Sequence, residues 1–214
     1  MRPLWFVCVG CLLLPASPAR AQDAPPPIGP FVVDVRGTLP RFKQDAQLAA
    51  SRALLAMELP GSGLGLDVNV HVYFFTWRAV TLGIGGQLTL AQAHSSAQTD
   101  DGQVVARAIT ERLTSVTPQI SFNFGTGDGW SYISGGIGPT IWSVVPDGRA
   151  ALPPDEERLQ TINYGGGARW FVKPHLAFTF DVRFHAINPS TGVFGFPGGP
   201  RTTLLIIGAG VSVK

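Results

Sequence analysis

Residues 66–75 read LDVNVHVYFF, and this stretch decides the fold. Leu66, Val68, Val70, Val72 and Phe74 fall on one side of an extended chain, while Asp67, Asn69, His71, Tyr73 and Phe75 fall on the other. Side chains of a strand alternate with a period of two, so the stretch predicts a β-strand lying between two unlike environments. The next stretch repeats the pattern. Val80, Leu82, Ile84, Gly86, Leu88 and Leu90 alternate with Thr81, Gly83, Gly85, Gln87, Thr89 and Ala91. Only Thr76 to Ala79 separate the two, which predicts a tight hairpin.

Six further strands follow from the same reading, at 28–38, 113–125, 129–143, 158–172, 176–185 and 201–213. Their connections alternate in length: 39–63, 92–112, 144–157 and 186–200 are long, whereas 76–79, 126–128 and 173–174 are short. Long strands joined this way predict an all-β fold, an eight-stranded antiparallel up-and-down transmembrane β-barrel. A soluble β-sandwich or calyx also alternates, but its polar face meets water and carries many Lys and Glu. Here the polar faces hold Gly, Thr, Asn and Gln. Their few charges are balanced, Asp34, Asp67 and Asp181 against Arg36, Arg169 and Arg183. The apolar faces are nearly free of charge, as contact with lipid requires. Pro118 and Pro139 lack a ladder donor, so each is expected at a bulge or near a strand end.

Composition agrees. Charged residues make up 14% of the chain, against roughly 25% in ordinary soluble domains. A hydrophobic content of 45% excludes disorder, and 26 glycines exclude a helical bundle. Residues 1–21, MRPLWFVCVGCLLLPASPARA, have a basic start, a short apolar core and an Ala19-Arg20-Ala21 site, which predicts a cleavable signal peptide. The barrel domain is then 22–214. Cleavage removes Arg2 and Arg20 and leaves 14 basic against 14 acidic residues, so nucleic acid is not an expected partner. It also removes Cys8 and Cys11, which excludes disulfides, thiol catalysis and Cys-type zinc sites.

The inward polar set, Asp34, Arg36, Asp67, His71, Gln119, Arg169, Asp181, Arg183 and His185, is expected to form a hydrogen-bonded network in the lumen. Trp77, Trp130 and Trp170 sit near the short turns and are expected to form an interfacial aromatic girdle, with Trp142 and Phe184 at the opposite rim. Residues 43–58, KQDAQLAASRALLAME, predict a short amphipathic helix with Leu48, Ala49, Leu55 and Met57 near one stripe, over the barrel mouth or on the outer leaflet. Asp100-Asp101-Gly102 reads as an exposed turn. No phosphate loop, metal-ligand cluster or nucleophile elbow is present, so no catalytic, metal or cofactor residue is assigned.

The stretches SFNFGTGDGWSYISGGIG (121–138) and LPGSGLGLDVNVHVYFF (59–75) resemble the superfamily of small eight-stranded outer-membrane barrels related to the transmembrane domain of outer membrane protein A. The resemblance spans the whole chain after the signal and rests on pattern. It implies a bacterial outer-membrane location. The implied partners are outer-membrane lipids and lipopolysaccharide, with the assembly machinery and periplasmic chaperones acting during biogenesis. Such barrels usually end on an aromatic residue, whereas Val213-Lys214 stands here. An eight-stranded barrel is just wide enough for side chains to fill it. The expected role is therefore structural or membrane-organising and non-enzymatic. The alternatives are a narrow pore or hydrophobic-solute carrier, and an outer-leaflet lipid-modifying enzyme, since Ala93-His94-Ser95-Ser96 locally resembles the His-x-Ser of lipid A acylhydrolases.

Overall fold

The structure is a computed structural model that describes residues 26–151, 155–192 and 195–214. The segment read as a signal peptide lies outside the described residues. The barrel strands are β1 Phe31–Arg41, β2 Gly63–Trp77, β3 Val80–Ser95, β6 Ile109–Thr126, β7 Gly129–Pro146, β8 Glu156–Lys173, β9 Leu176–Ile187 and β10 Thr202–Val213. They close in the order β1-β10-β9-β8-β7-β6-β3-β2, with every neighbouring pair antiparallel. A short helix α1 (Ala46–Ser51) and a 3-10 turn (Ala56–Glu58) lie between β1 and β2, and a hairpin of β4 (Gln98–Asp100) and β5 (Gln103–Ala106) lies between β3 and β6.

The outer surface is that of a chain solvated by hydrocarbon. Val70, Val72, Ile84, Ile120, Ile137, Ile162 and Phe178 are exposed, while Asp34, Arg36, Asn69, Gln119 and Asp181 are buried inside the ring. A ring also leaves no strand edge, so apart from one interrupted stretch of the β6–β7 seam the wall N–H and C=O groups pair with a neighbouring strand in a medium without water. The chain has the architecture of a membrane-spanning β-barrel.

The strands run further than the sequence reading placed them: β2 starts at Gly63, β3 ends at Ser95, β6 starts at Ile109 and β7 ends at Pro146. In and beside the extensions of β3, β6 and β7 the polarity of the two faces is exchanged, although Glu111 is buried and, in the β2 extension, Leu64 is still exposed. Gln92, His94 and Arg112 are exposed on the outside, while Ala91, Ala93, Ile109, Leu113, Trp142 and Val144 are buried inside. The period of two continues but its sign reverses where lipid gives way to water, so a search for apolar-outward alternation ends the strands too early.

Three local expectations are corrected. Pro118 and Pro139 sit at neither a bulge nor a strand end. Both fall in one stretch of the β6–β7 seam, where Ser115 pairs with Thr140 and Gln119 with Gly136 in unchanged register, and the described residues form no ladder pair between. Two prolines across one seam remove two donors from the same ladder. Phe75, placed on the inner face, is exposed together with Phe74, because the β2–β3 register shifts between Tyr73 and Phe75. The amphipathic helix is shorter than 43–58. The Asp45 side chain caps α1 by accepting from the Gln47 and Leu48 amides, and a left-handed Ala53 (φ 54°) stands two residues beyond its end. Leu48 and Ala49 are therefore buried, whereas Leu55 and Met57 are exposed.

Close approach accounts for some of the glycine. Gly210 of β10 pairs with Arg36, and a Cβ there would lie 2.0 Å from the Val35 carbonyl oxygen. Gly167 pairs with Asp181, and its Cβ would lie 2.8 Å from the Tyr132 hydroxyl. The smallest residue thus makes room for the largest polar ones inside a narrow ring.

The interrupted seam carries a consequence. Amide hydrogen exchange in vesicles is expected to be fastest, within the interior of the barrel wall, over 115–119 and 136–140. Uniform protection across the β3–β6 and β6–β7 seams would show that the missing pairs do not weaken the wall.

Candidate functional site

The lumen is built in three layers. The central layer is polar. Asp34 on β1 accepts from Arg169 Nε (2.8 Å) and Nη2 (2.6 Å) on β8, and from Ser212 Oγ (2.5 Å) on β10. Arg36 donates from Nη2 to Asp67 Oδ1 at 2.9 Å and from Nη1 to the Tyr132 hydroxyl at 2.7 Å. Tyr132 in turn donates to Asp181 Oδ2 at 2.6 Å, and Arg183 donates to both Asp181 oxygens at 3.1 Å and to Ser134 Oγ at 2.8 Å. The Arg169 guanidinium lies 4.0 Å over the Tyr132 ring. Gln87 donates to Asp67, Gln119 donates to Gln87, and Asn163 donates to Gln87 Oε1 (2.8 Å) and Thr117 Oγ1 (2.6 Å).

All nine residues expected in the lumen point inward and are buried. Seven are joined by the bonds above. His71 and His185 are not, since neither ring nitrogen of either has a hydrogen-bond partner among the described residues. Tyr132, Gln87, Asn163 and Ser212 belong to the network, and sequence reasoning did not assign them. Gln87 and Asn163 were already on the inner faces of their strands. The signal for Tyr132 was its two-residue spacing from Ser134 in the glycine-rich strand. Three arginines face three aspartates, so the layer is electrically balanced without an outside ion.

An apolar layer closes the short-turn end. Trp130, expected in the lipid-facing girdle, instead points inward. It stacks on Phe171 at 5.0 Å, meets Tyr73 edge-on at 5.9 Å and packs with Val32. The reason lies in the register, because Trp130 pairs with Arg169 and cross-strand partners share a face. The Lys214 ammonium lies 3.9 Å from the centre of the Phe171 ring and donates to the Gly127 carbonyl. Trp77 and Trp170 lie on the outer wall, Trp170 stacking on Phe178 at 6.1 Å.

A larger apolar layer closes the long-loop end. Phe42, Leu48, Leu54 and Leu59 from the β1–β2 connection pack on Ile109, Leu113, Trp142 and Leu204 of the wall. Trp142, expected at the outer rim, is inside this layer and donates from Nε1 to Glu111 Oε1 at 2.7 Å. Arg52, the residue after α1, donates to Glu157 Oε2 at 2.6 Å and lies 5.9 Å over the Trp142 ring. Burial pulls the Arg52 guanidinium below its ordinary value, against the pull of Glu157, Glu111 and Asp155. Glu58 pins the same connection. It accepts from the Arg107 backbone N–H (2.9 Å) and Nε (2.8 Å), and from the Leu55 N–H (2.7 Å). The Arg107 hydrogen bonds hold the Glu58 carboxyl down at about 2, from an ordinary 4.5.

The His-x-Ser segment does not assemble a hydrolytic site. His94 Nδ1 lies 3.4 Å from Thr110 Oγ1 and 3.6 Å from Asp147 Oδ2, with the His94 and Asp147 side chains about half exposed. Ser96 is exposed, and Ser95 donates to the Glu58 carbonyl, so no serine meets the imidazole among the described residues. No group of three or more His, Cys, Asp or Glu among the described residues is placed to hold a metal ion.

No protein-family model matches the chain, and no curated protein matches it. Among solved structures it is similar to neisserial surface protein A (NspA), at 14% identity over 87% of this chain and 97% of that one, with a TM-score of 0.49. It is also similar to Ail, the attachment invasion locus protein of Yersinia pestis, at 14% identity over 86% and 99% of the two chains and a TM-score of 0.49. The outer membrane protein OprG from Pseudomonas aeruginosa is 10% identical over 88% and 97%, with a TM-score of 0.44. These likenesses concern architecture and assign no role to any residue.

Removing one member of a buried ion pair strands its partner. Arg169→Ala is expected to lower stability by about 3–5 kcal/mol in urea unfolding from vesicles, and Asp34→Leu with Arg169→Met to lose much less. Equal loss in both would show that the pair is not what the wall depends on. The outer connection is expected to be acid-sensitive. Glu58 has a depressed folded value, so its contribution is complete above its ordinary value of 4.5 and is lost as pH falls toward about 2. Relative to E58Q digested at the same pH, which corrects for pepsin's own pH dependence, wild type is expected to be cut at residues 53–59 progressively faster as pH falls over that window. A wild-type connection equally resistant, relative to E58Q, at both ends of the window would remove Glu58 from this role.

Proposed function

We propose that the chain is a sealed outer-membrane barrel with a structural or membrane-organising role and no enzymatic activity. The observation that carries this reading is the layered lumen, a charge-balanced polar centre between two apolar closures. An ion entering from the long-loop end meets the Arg52–Glu157 pair and then the packed side chains of Phe42, Leu48, Leu54 and Leu59. One entering from the other end meets Trp130, Tyr73 and Val32. Desolvation in these closures costs several kcal/mol or more. The network itself offers no spare charge to an incoming solute, because Asp34, Asp67 and Asp181 already engage Arg169, Arg36 and Arg183.

The surrounding reading follows from the same architecture. Residues 1–21 act as an export signal and 22–214 form the barrel domain. Periplasmic chaperones and the outer-membrane assembly machinery deliver the chain, and membrane lipid with lipopolysaccharide surrounds it. Trp77 and Trp170 anchor the short-turn end at the interface. The lumen needs no cofactor.

Planar bilayers provide the test. Folded protein, identified by a heat-modifiable shift in electrophoretic mobility, is expected to give no stepwise conductance. Lipid A extracted from cells producing it is expected to keep its acyl chains. Stepwise currents from the folded protein would replace this reading with the narrow pore, and loss of acyl chains would replace it with the lipid-modifying enzyme.

A further inference from the structure

The long-loop mouth already holds a cation. Arg52 is 3% exposed, its Nη2 is 2.6 Å from Glu157 Oε2, and its guanidinium faces the Trp142 ring. Glu111, fully buried, has one oxygen on Trp142 and the other without a hydrogen-bond partner among the described residues. The Glu157 carboxylate, an indole face and the buried Glu111 carboxyl, which burial pushes up to about 8, sit in an apolar surround and are groups that recognise a cationic donor on an aliphatic stem. Asp155 is also near, but Arg149 engages both of its oxygens, at 2.7 and 2.9 Å.

The cation and its receptors belong to different parts of the fold. Glu111, Trp142 and Glu157 stand on β6, β7 and β8, whereas Arg52 rides on the connection 42–62. No backbone hydrogen bond among the described residues joins that connection to the wall. Its ties are side-chain contacts, chiefly Arg52 to Glu157, Arg107 to Glu58 and Ser95 to the Glu58 carbonyl. A segment fastened in this way opens at lower free energy than a laddered wall. Its displacement would leave Glu111 and Glu157 facing an apolar cup without Arg52.

We propose that the outer mouth is a binding site for a cationic amphiphile, an amine or guanidinium on an aliphatic stem, and that Arg52 with Leu48 and Leu54 is its internal occupant. The ligand replaces Arg52 at Glu157, where the unpartnered Glu111 oxygen offers a second acceptor, and its stem replaces the two leucines against Leu113 and Trp142. Binding there needs no passage through the lower closure, so the proposal goes beyond the sealed-barrel reading without depending on it.

The test uses the full barrel in nanodiscs, titrated with octylguanidinium, with octanol and octanoate as controls. A Cβ at Gly199, in the β9–β10 connection, would lie 3.7 Å from Ser51 Oγ, so S51C/G199C gives a disulfide lock on the connection. Saturable octylguanidinium binding is expected in the reduced lock variant and is lost on oxidation. The controls and E157Q are expected to bind about ten-fold more weakly, and R52A about ten-fold more tightly. Heat-modifiable mobility verifies that each variant is folded, and R52Q replaces R52A if the latter does not fold. Equal binding by the oxidised and reduced forms overturns the proposal. So does octanol binding as tightly as octylguanidinium, or no tightening when Arg52 is replaced in a folded variant.

Discussion

In hydrocarbon, a backbone N–H or C=O without a partner costs several kcal/mol, and nothing in the medium can relieve it. Closure of β1 on β10, with Val33 opposite Val213 and Arg41 opposite Leu205, is the contact that removes the last free edges. The rest of the molecule follows from that constraint. Eight strands make a ring too narrow for a water channel, so its interior must be filled. The filling must be polar enough to fold within a strongly alternating sequence, yet carry no net charge. Arginine and aspartate in equal number meet both demands. Glycine at positions such as 210 and 167 then yields the space that their long side chains take.

The strands read the solvent as much as the fold. In the membrane, β3 turns Leu88 and Leu90 outward and Gln87 and Thr89 inward, whereas immediately beyond them Ala91 and Ala93 are inside and Gln92 and His94 outside. Nothing in the backbone changes at the boundary. The chain simply becomes an ordinary protein above the bilayer, with an apolar interior capped by its own first long connection. The short-turn end needs only a few aromatic rings for the same purpose, because its turns are too short to fold back into the ring.

Much of this architecture is legible in the amino-acid sequence. The period of two in LDVNVHVYFF, the alternating connection lengths and the balanced inward charges lead to the barrel and to most of the network by elementary geometry. What the sequence conceals depends on register. Trp130 and Trp142 look like girdle residues by their height along the strands, and only their pairing with inward residues or their hydrogen bonds place them inside. Phe75 is turned outward by a one-residue irregularity that composition does not reveal. Each proline considered alone calls for a bulge, whereas together they share one interrupted stretch of seam. The closure by Phe42, Leu48 and Leu54 needs three-dimensional contacts between a loop and strands distant in sequence.

The central ion pairs also bear on how such a ring is assembled. Asp34 meets Arg169 across 135 positions of sequence, and Arg36 meets Tyr132 across 96. Of the six central charges, the first half of the chain carries Asp34, Arg36 and Asp67, and the second half carries Arg169, Asp181 and Arg183. Each half is therefore incomplete, one with an excess acid and the other with an excess base. A hairpin entering the bilayer ahead of the others would take unmatched charge with it. Only in the closed ring do the two surpluses cancel, through Asp34 with Arg169 and Arg36 beside Asp181.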